Sequence, residues 1–131
     1  TIVVEREANG RETKVEANKG QSAGGLPVVI VQNKYSASAS EVLAAALSEN
    51  GRATIVGEKS YGKGTVNTSK QLPNGGVLFV SIAYWLTPKG SLIDNKGVTP
   101  DIEVPLTDAD IDARRDPQIL RAVDVIRGMI K

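Results

Sequence analysis

The apolar residues of this chain fall into short runs separated by glycine, asparagine and proline. Ile2-Val3-Val4-Glu5-Arg6 and Thr13-Lys14-Val15-Glu16 flank Asn9-Gly10, a pair that accepts the positive φ of a tight turn, so the chain is predicted to open with a β-hairpin. Residues 19–25, small and polar, read as loop. Pro27-Val28-Val29-Ile30-Val31 is a continuous β-branched run of the kind found in strands covered on both faces. Val42-Leu43-Ala44-Ala45-Ala46-Leu47 is strongly helix-forming and stops at Asn50-Gly51, and Ala53-Thr54-Ile55-Val56 is a second buried-type strand. Strand, helix and strand in that order predict a βαβ unit with a right-handed crossover.

Beyond it, Thr65-Val66-Asn67-Thr68 and Val77 to Trp85 read as strands joined near Asn74-Gly75-Gly76. Residues 87–105 show little periodicity, with Asp101-Ile102-Glu103-Val104 as a candidate edge strand. Asp116-Pro117 then opens a helix, aspartate as N-cap and proline at the first position, which places Ile119, Leu120, Val123, Ile126 and Ile130 on one face. The fold class is α/β, with a mixed sheet, an N-terminal hairpin and a C-terminal helix.

Composition narrows the chemistry. Sixteen basic residues against fifteen acidic ones, scattered singly, give no electrostatic reason to expect a nucleic-acid partner. The chain has no cysteine and no histidine. Thiolate zinc sites, cysteine nucleophiles and a Ser-His-Asp triad within the chain are therefore excluded, and no metal or cofactor is implied. Nucleophilic chemistry must draw on Ser, Thr, Lys, Tyr, Asp or Glu.

Three local patterns compete. Gly57-Glu58-Lys59-Ser60-Tyr61-Gly62-Lys63-Gly64-Thr65 nearly spells a phosphate-binding loop, but glycine follows the lysine where Ser or Thr should hold magnesium, and the next residues are β-prone. Ser38-Ala39-Ser40-Glu41 has the form of a capping box. A serine at a helix start also lies where free N–H groups can stabilise an oxyanion, so local pattern leaves capping and catalysis both open. Lys63, between two glycines, reads as a solvated loop lysine or as a base. An ordinary lysine, with a pKa near ~10.4, is protonated at neutral pH, and burial is what makes one a base. A βαβ unit would bring the start of its helix and the loop after its second strand together, and Ser–Lys pairs replace histidine triads in known enzymes.

The stretch 33–41, with Ser36-Ala37-Ser38-Ala39-Ser40-Glu41, and the stretch 56–66, with Tyr61-Gly62-Lys63-Gly64-Thr65, resemble the carboxyl-terminal processing peptidases, or tail-specific proteases. The similarity continues through Leu72-Pro73-Asn74-Gly75-Gly76, Tyr84-Trp85-Leu86-Thr87-Pro88 and Lys96-Gly97-Val98-Thr99-Pro100-Asp101-Ile102, covering residues 26–104 most closely. The resemblance implies a crotonase-like α/β fold and a serine endopeptidase acting near protein C-terminal tails. Ser38 would be the nucleophile, Lys63 the base, and the Ala39 N–H one oxyanion donor. Asn67 stands where the family usually has a lysine-orienting glutamine, one methylene longer. Family members act outside the cytoplasm, in periplasm, cell envelope or thylakoid lumen.

By the same resemblance, residues 1–131 are expected to form the C-terminal part of the catalytic domain. A second oxyanion loop and a PDZ domain would then lie upstream of Thr1. On that expectation the isolated chain is a poor peptidase and self-associates or exchanges an element between two copies. The alternative functions are a catalytically silent peptide- or protein-interaction domain of the same fold and the nucleotide binder.

Overall fold

The computed structural model describes residues 1–20 and 24–130, so part of the loop expected over 19–25 lies outside the described residues. Strands β1 (Val3–Glu7) and β2 (Glu12–Val15) form the opening hairpin, with Gly10 at φ 86° in its turn. β3 (Val29–Gln32), α1 (Ala39–Glu49) and β4 (Thr54–Gly57) follow, then the long hairpin of β5 (Thr65–Gln71) and β6 (Val77–Leu86). β7 (Ile102–Glu103), α2 (Asp108–Asp112) and α3 (Pro117–Met129) complete the described chain.

The strands do not share the single mixed sheet expected from sequence. β2-β1-β6-β5 is an antiparallel sheet, and β3-β4-β7 is a separate parallel one. The division follows from the glycine-punctuated loop after β4, which carries the chain out of the parallel sheet before β5 begins. β6 spans ten residues, long enough to pair with β5 over Val77 to Tyr84 and with β1 over Ala83 to Leu86. The end of β6 is tied to the loops on either side of it: Trp85 N–H donates to the Gly64 carbonyl (2.7 Å) and Ile93 N–H to the Trp85 carbonyl (3.2 Å).

In the parallel sheet β3 pairs with β4 in the register Ile30 to Ile55 and Gln32 to Gly57. Ala44 and Ala45 of α1 pack with Ile55 and Val98, and Ile30 lies against that cluster. Alanines at these positions let the helix backbone approach the sheet closely. Burial of Ile55, which is 1% exposed, is worth about 1.5–3 kcal/mol. β3 itself is an edge strand, and Val31 is largely exposed, so the run is covered less completely than its composition predicts.

α3 starts as expected, with the Asp116 carboxylate accepting from the N–H groups of Gln118 (2.9 Å) and Ile119 (3.0 Å). Its apolar face is not its buried face, however. Ile119, Leu120, Val123 and Ile130 are exposed, while Gln118 and Ala122 are buried. Gln118 is held inside because its amide donates to the Val104 carbonyl at 2.9 Å. α2 was not foreseen; its signal was Thr107-x-x-Asp110, in which Asp110 accepts from Thr107 and pairs with Arg115.

Two predictions follow from these contacts. Gly57, at φ 132°, leaves no space for a Cβ, which would collide with the Gln32 carbonyl. Gly57→Ala should lower stability by about 2 kcal/mol or more in denaturant unfolding; an unchanged midpoint would contradict the β3–β4 register. Thr107 and Arg115 hold the Asp110 carboxyl down at about 2. A depressed carboxyl stabilises the fold above its unfolded value of about 3.9 and loses that contribution as pH falls through the folded value. Amide exchange in α2 should therefore accelerate selectively between about pH 4 and pH 2, and Asp110→Asn should remove that pH dependence.

Candidate active site

The residues singled out by sequence lie on two loops, one leading into α1 and one leaving β4. Asn33 begins the first: its side chain accepts from Tyr35 N–H at 3.0 Å, and Asn33 N–H donates to Ser36 Oγ at 3.1 Å. The turn delivers Ser38 to the N-terminus of α1 in a left-handed conformation, φ 61° and ψ −123°. An L-residue adopts such angles only at a cost of order 1–3 kcal/mol, and strain of that kind gathers where a side chain must be presented sharply at a strand-to-helix turn. Ser38 is half-buried and Ala39, the first helical residue, is exposed.

The carboxylate half of the capping box is formed: Ser38 N–H donates to Glu41 Oε2 at 2.8 Å. The hydroxyl half is in place, with the Ser38 side chain toward the Glu41 N–H, but without a cap hydrogen bond of normal geometry. Glu41 N–H donates to the Ser38 carbonyl (2.9 Å).

Glu41 carries more than the cap. It is completely buried and reaches the second loop, where Ser60 Oγ and Gly62 N–H donate to Oε1 (2.5 and 2.6 Å) and Lys63 N–H donates to Oε2 (2.9 Å). The backbone amides of Ser38 and Lys63 therefore share one carboxylate oxygen. Tyr61 N–H adds a further tie, to the Ser36 carbonyl at 2.9 Å. Ser60 Oγ in turn accepts from Val98 N–H at 2.7 Å, and Gly64 N–H donates to Asp94 at 3.3 Å. A Cβ at Gly62, Gly64 or Gly97 would run into backbone of the facing loop, so glycine is what permits these segments to lie so close.

The structure brings the Ser38 and Lys63 backbones together and leaves other expectations unmet. Lys63 is exposed, not buried as a lysine base was expected to be. Asn67 follows the bulge between Val66 and Asn67; its amide accepts from Ser81 Oγ (2.7 Å) and donates to Thr65 Oγ1 (3.3 Å) instead of meeting Lys63. The phosphate-loop reading fails on geometry, because the loop runs into strand β5 and offers no helix N-terminus. Sequence reasoning assigned Glu41 only to the cap. Its other partners are two backbone amides and one serine, which leave no spacing signal.

Comparison with known proteins decides the family. The sequence pattern of Peptidase family S41 matches residues 1–104. The chain belongs to peptidase family S41. Within the family it is similar to proteins named as carboxyl-terminal processing enzymes. A carboxyl-terminal-processing protease of Synechocystis sp. is 39% identical over 131 residues, covering 98% of this chain and 30% of that protein. The chloroplastic carboxyl-terminal-processing peptidase 3 of Arabidopsis thaliana is 38% identical over 79% of this chain and 20% of its own length. Among solved structures, a photosystem II D1 C-terminal processing protease superposes with a TM-score of 0.72 at 35% identity, over 79% of this chain and 27% of that one. The tricorn protease shares the fold (TM-score 0.67, 22% identity). The chain thus spans less than a third of the length of these relatives. The S41 match takes in the opening hairpin, both sheets and both loops of the site, and stops short of α2 and α3.

Proposed function

We propose that this S41 chain carries the nucleophile and general base of a serine endopeptidase of the carboxyl-terminal processing type, on a crotonase-like fold. The observation that supports the reading most is the shared Glu41 oxygen, which couples the backbones of Ser38 and Lys63 across 25 positions of sequence. The strained turn that carries Ser38 into the start of α1 is consistent with a presented nucleophile.

In this mechanism Ser38 Oγ attacks the scissile carbonyl while Lys63 Nζ accepts its proton. The N–H of Ala39, at the N-terminus of α1, donates to the developing oxyanion. Lys63 then returns the proton to the leaving amine, and water hydrolyses the acyl-enzyme with Lys63 again as base. The substrate that covers the exposed Lys63 side chain supplies the water exclusion a lysine base requires. The substrates are C-terminal tails of other proteins, in keeping with the names of the relatives. The compartment is extracytoplasmic or the thylakoid lumen, which the chloroplastic Arabidopsis relative supports.

Ser38→Ala, made in the protein that carries this chain, should abolish tail-peptide hydrolysis and fluorophosphonate labelling while changing stability by less than about 0.5 kcal/mol. A serine acting as a cap would instead cost about 0.5–2 kcal/mol on replacement. Lys63→Arg should be inactive at every pH tested, because guanidinium stays charged. Hydrolysis surviving in either variant would exclude the dyad, and a wild-type Ser38 that never labels would favour the silent interaction domain.

A further inference from the structure

The two oxygens of Glu41 accept four hydrogen bonds, two apiece, from donors on two separate segments. We propose that Glu41 is the positioning residue of this site: its buried carboxylate sets the loop bearing Lys63 against the helix start bearing Ser38, and so holds nucleophile and base in reacting register. The proposal rests on the peptidase reading above but makes its own claim about what fixes the geometry.

A helix cap needs one of these bonds, the one from Ser38 N–H. The other three come from Ser60, Gly62 and Lys63, beyond the end of β4, and give nothing to the cap. A carboxylate with no exposure is costly to bury unless its lone pairs are filled, and here the filling groups are the amides of the two reacting residues and their neighbours. Each oxygen has two lone pairs, so both are saturated and neither loop can shift without emptying one. The second loop has little room to compensate. Val98 N–H holds Ser60 Oγ from the far side, and Gly62 and Gly64 press against the 93–98 backbone. Aspartate, one methylene shorter, cannot reach both loops. Glutamine turns one acceptor oxygen into a donor facing two donors.

The test is Glu41→Gln, with Glu41→Asp beside it, read by amide exchange and by the kinetics of Ser38 in the protein that carries this chain. Exchange at the Ser38, Gly62 and Lys63 amides should accelerate at least about tenfold while Ile55 and Val56 stay protected. Fluorophosphonate labelling of Ser38 and kcat for a tail peptide should both fall by about 10²-fold, with KM altered by less than about threefold. A folded Gln variant that labels at the wild-type rate would overturn the proposal, as would unchanged exchange at the three amides. If the Gln variant loses protection throughout, the Asp variant decides: wild-type labelling there overturns the proposal and a loss of about tenfold or more supports it. Should the wild-type protein itself fail to label, the peptidase reading falls, while faster exchange confined to the three amides would still support the lock.

Discussion

A buried carboxylate is the constraint on which this molecule turns. Glu41 is a charged-type side chain with no exposure, and it is tolerated only because four neutral donors converge on it. Three of those donors belong to the loop after β4, whose one other hydrogen bond to the segment entering α1, among the described residues, is from Tyr61 N–H to the Ser36 carbonyl. Satisfying one side chain therefore determines where the chain goes after β4, and where it goes places the Lys63 backbone beside that of Ser38. The requirement is steeply directional. A loop displaced by one residue would leave a buried oxygen short of a donor, at about 1–3 kcal/mol or more for a charged group.

Close backbone approach is the companion requirement. Gly62 and Gly64 face the 93–98 segment with no space for a side chain, and Gly97 faces Ser60 in the same way. Ser38, by contrast, holds left-handed angles without being glycine. Its strain is sustained by the bond from its own N–H to Glu41 and by the start of α1 behind it. Glycine is thus placed where backbones touch, while a non-glycine residue holds strained angles at the start of α1.

What sequence could reveal was whatever depends on neighbours in the chain. Asn9-Gly10 marked a hairpin and Asp116-Pro117 a helix start because turn and cap chemistry are local. The proposed pair Ser38 and Lys63 rests on family motifs, and the structure adds the meeting of their two backbone amides at Glu41. What escaped depends on partners distant in sequence. β5 runs on to Gln71 through exposed Ser69 and Lys70, which lack hydrophobic alternation and are strand only because Phe79 and Leu78 pair with them. Periodicity puts Ile119, Leu120, Val123, Ile126 and Ile130 on one side of α3, yet Gln118 takes the interior through a hydrogen bond to Val104. Glu41 looked like a cap because its remaining partners are mostly backbone N–H groups, which every residue but proline possesses.

The central claim is that Ser38 and Lys63 react as one unit, held by Glu41. The most direct measurement is a crystal structure of the protein that carries this chain, inhibited by a peptide boronate. The account predicts a covalent bond from Ser38 Oγ to boron, Lys63 Nζ within about 2.6–3.2 Å of that oxygen, and Glu41 still accepting from both backbone amides. Boron bound elsewhere, or Lys63 directed away from a modified Ser38, would contradict it.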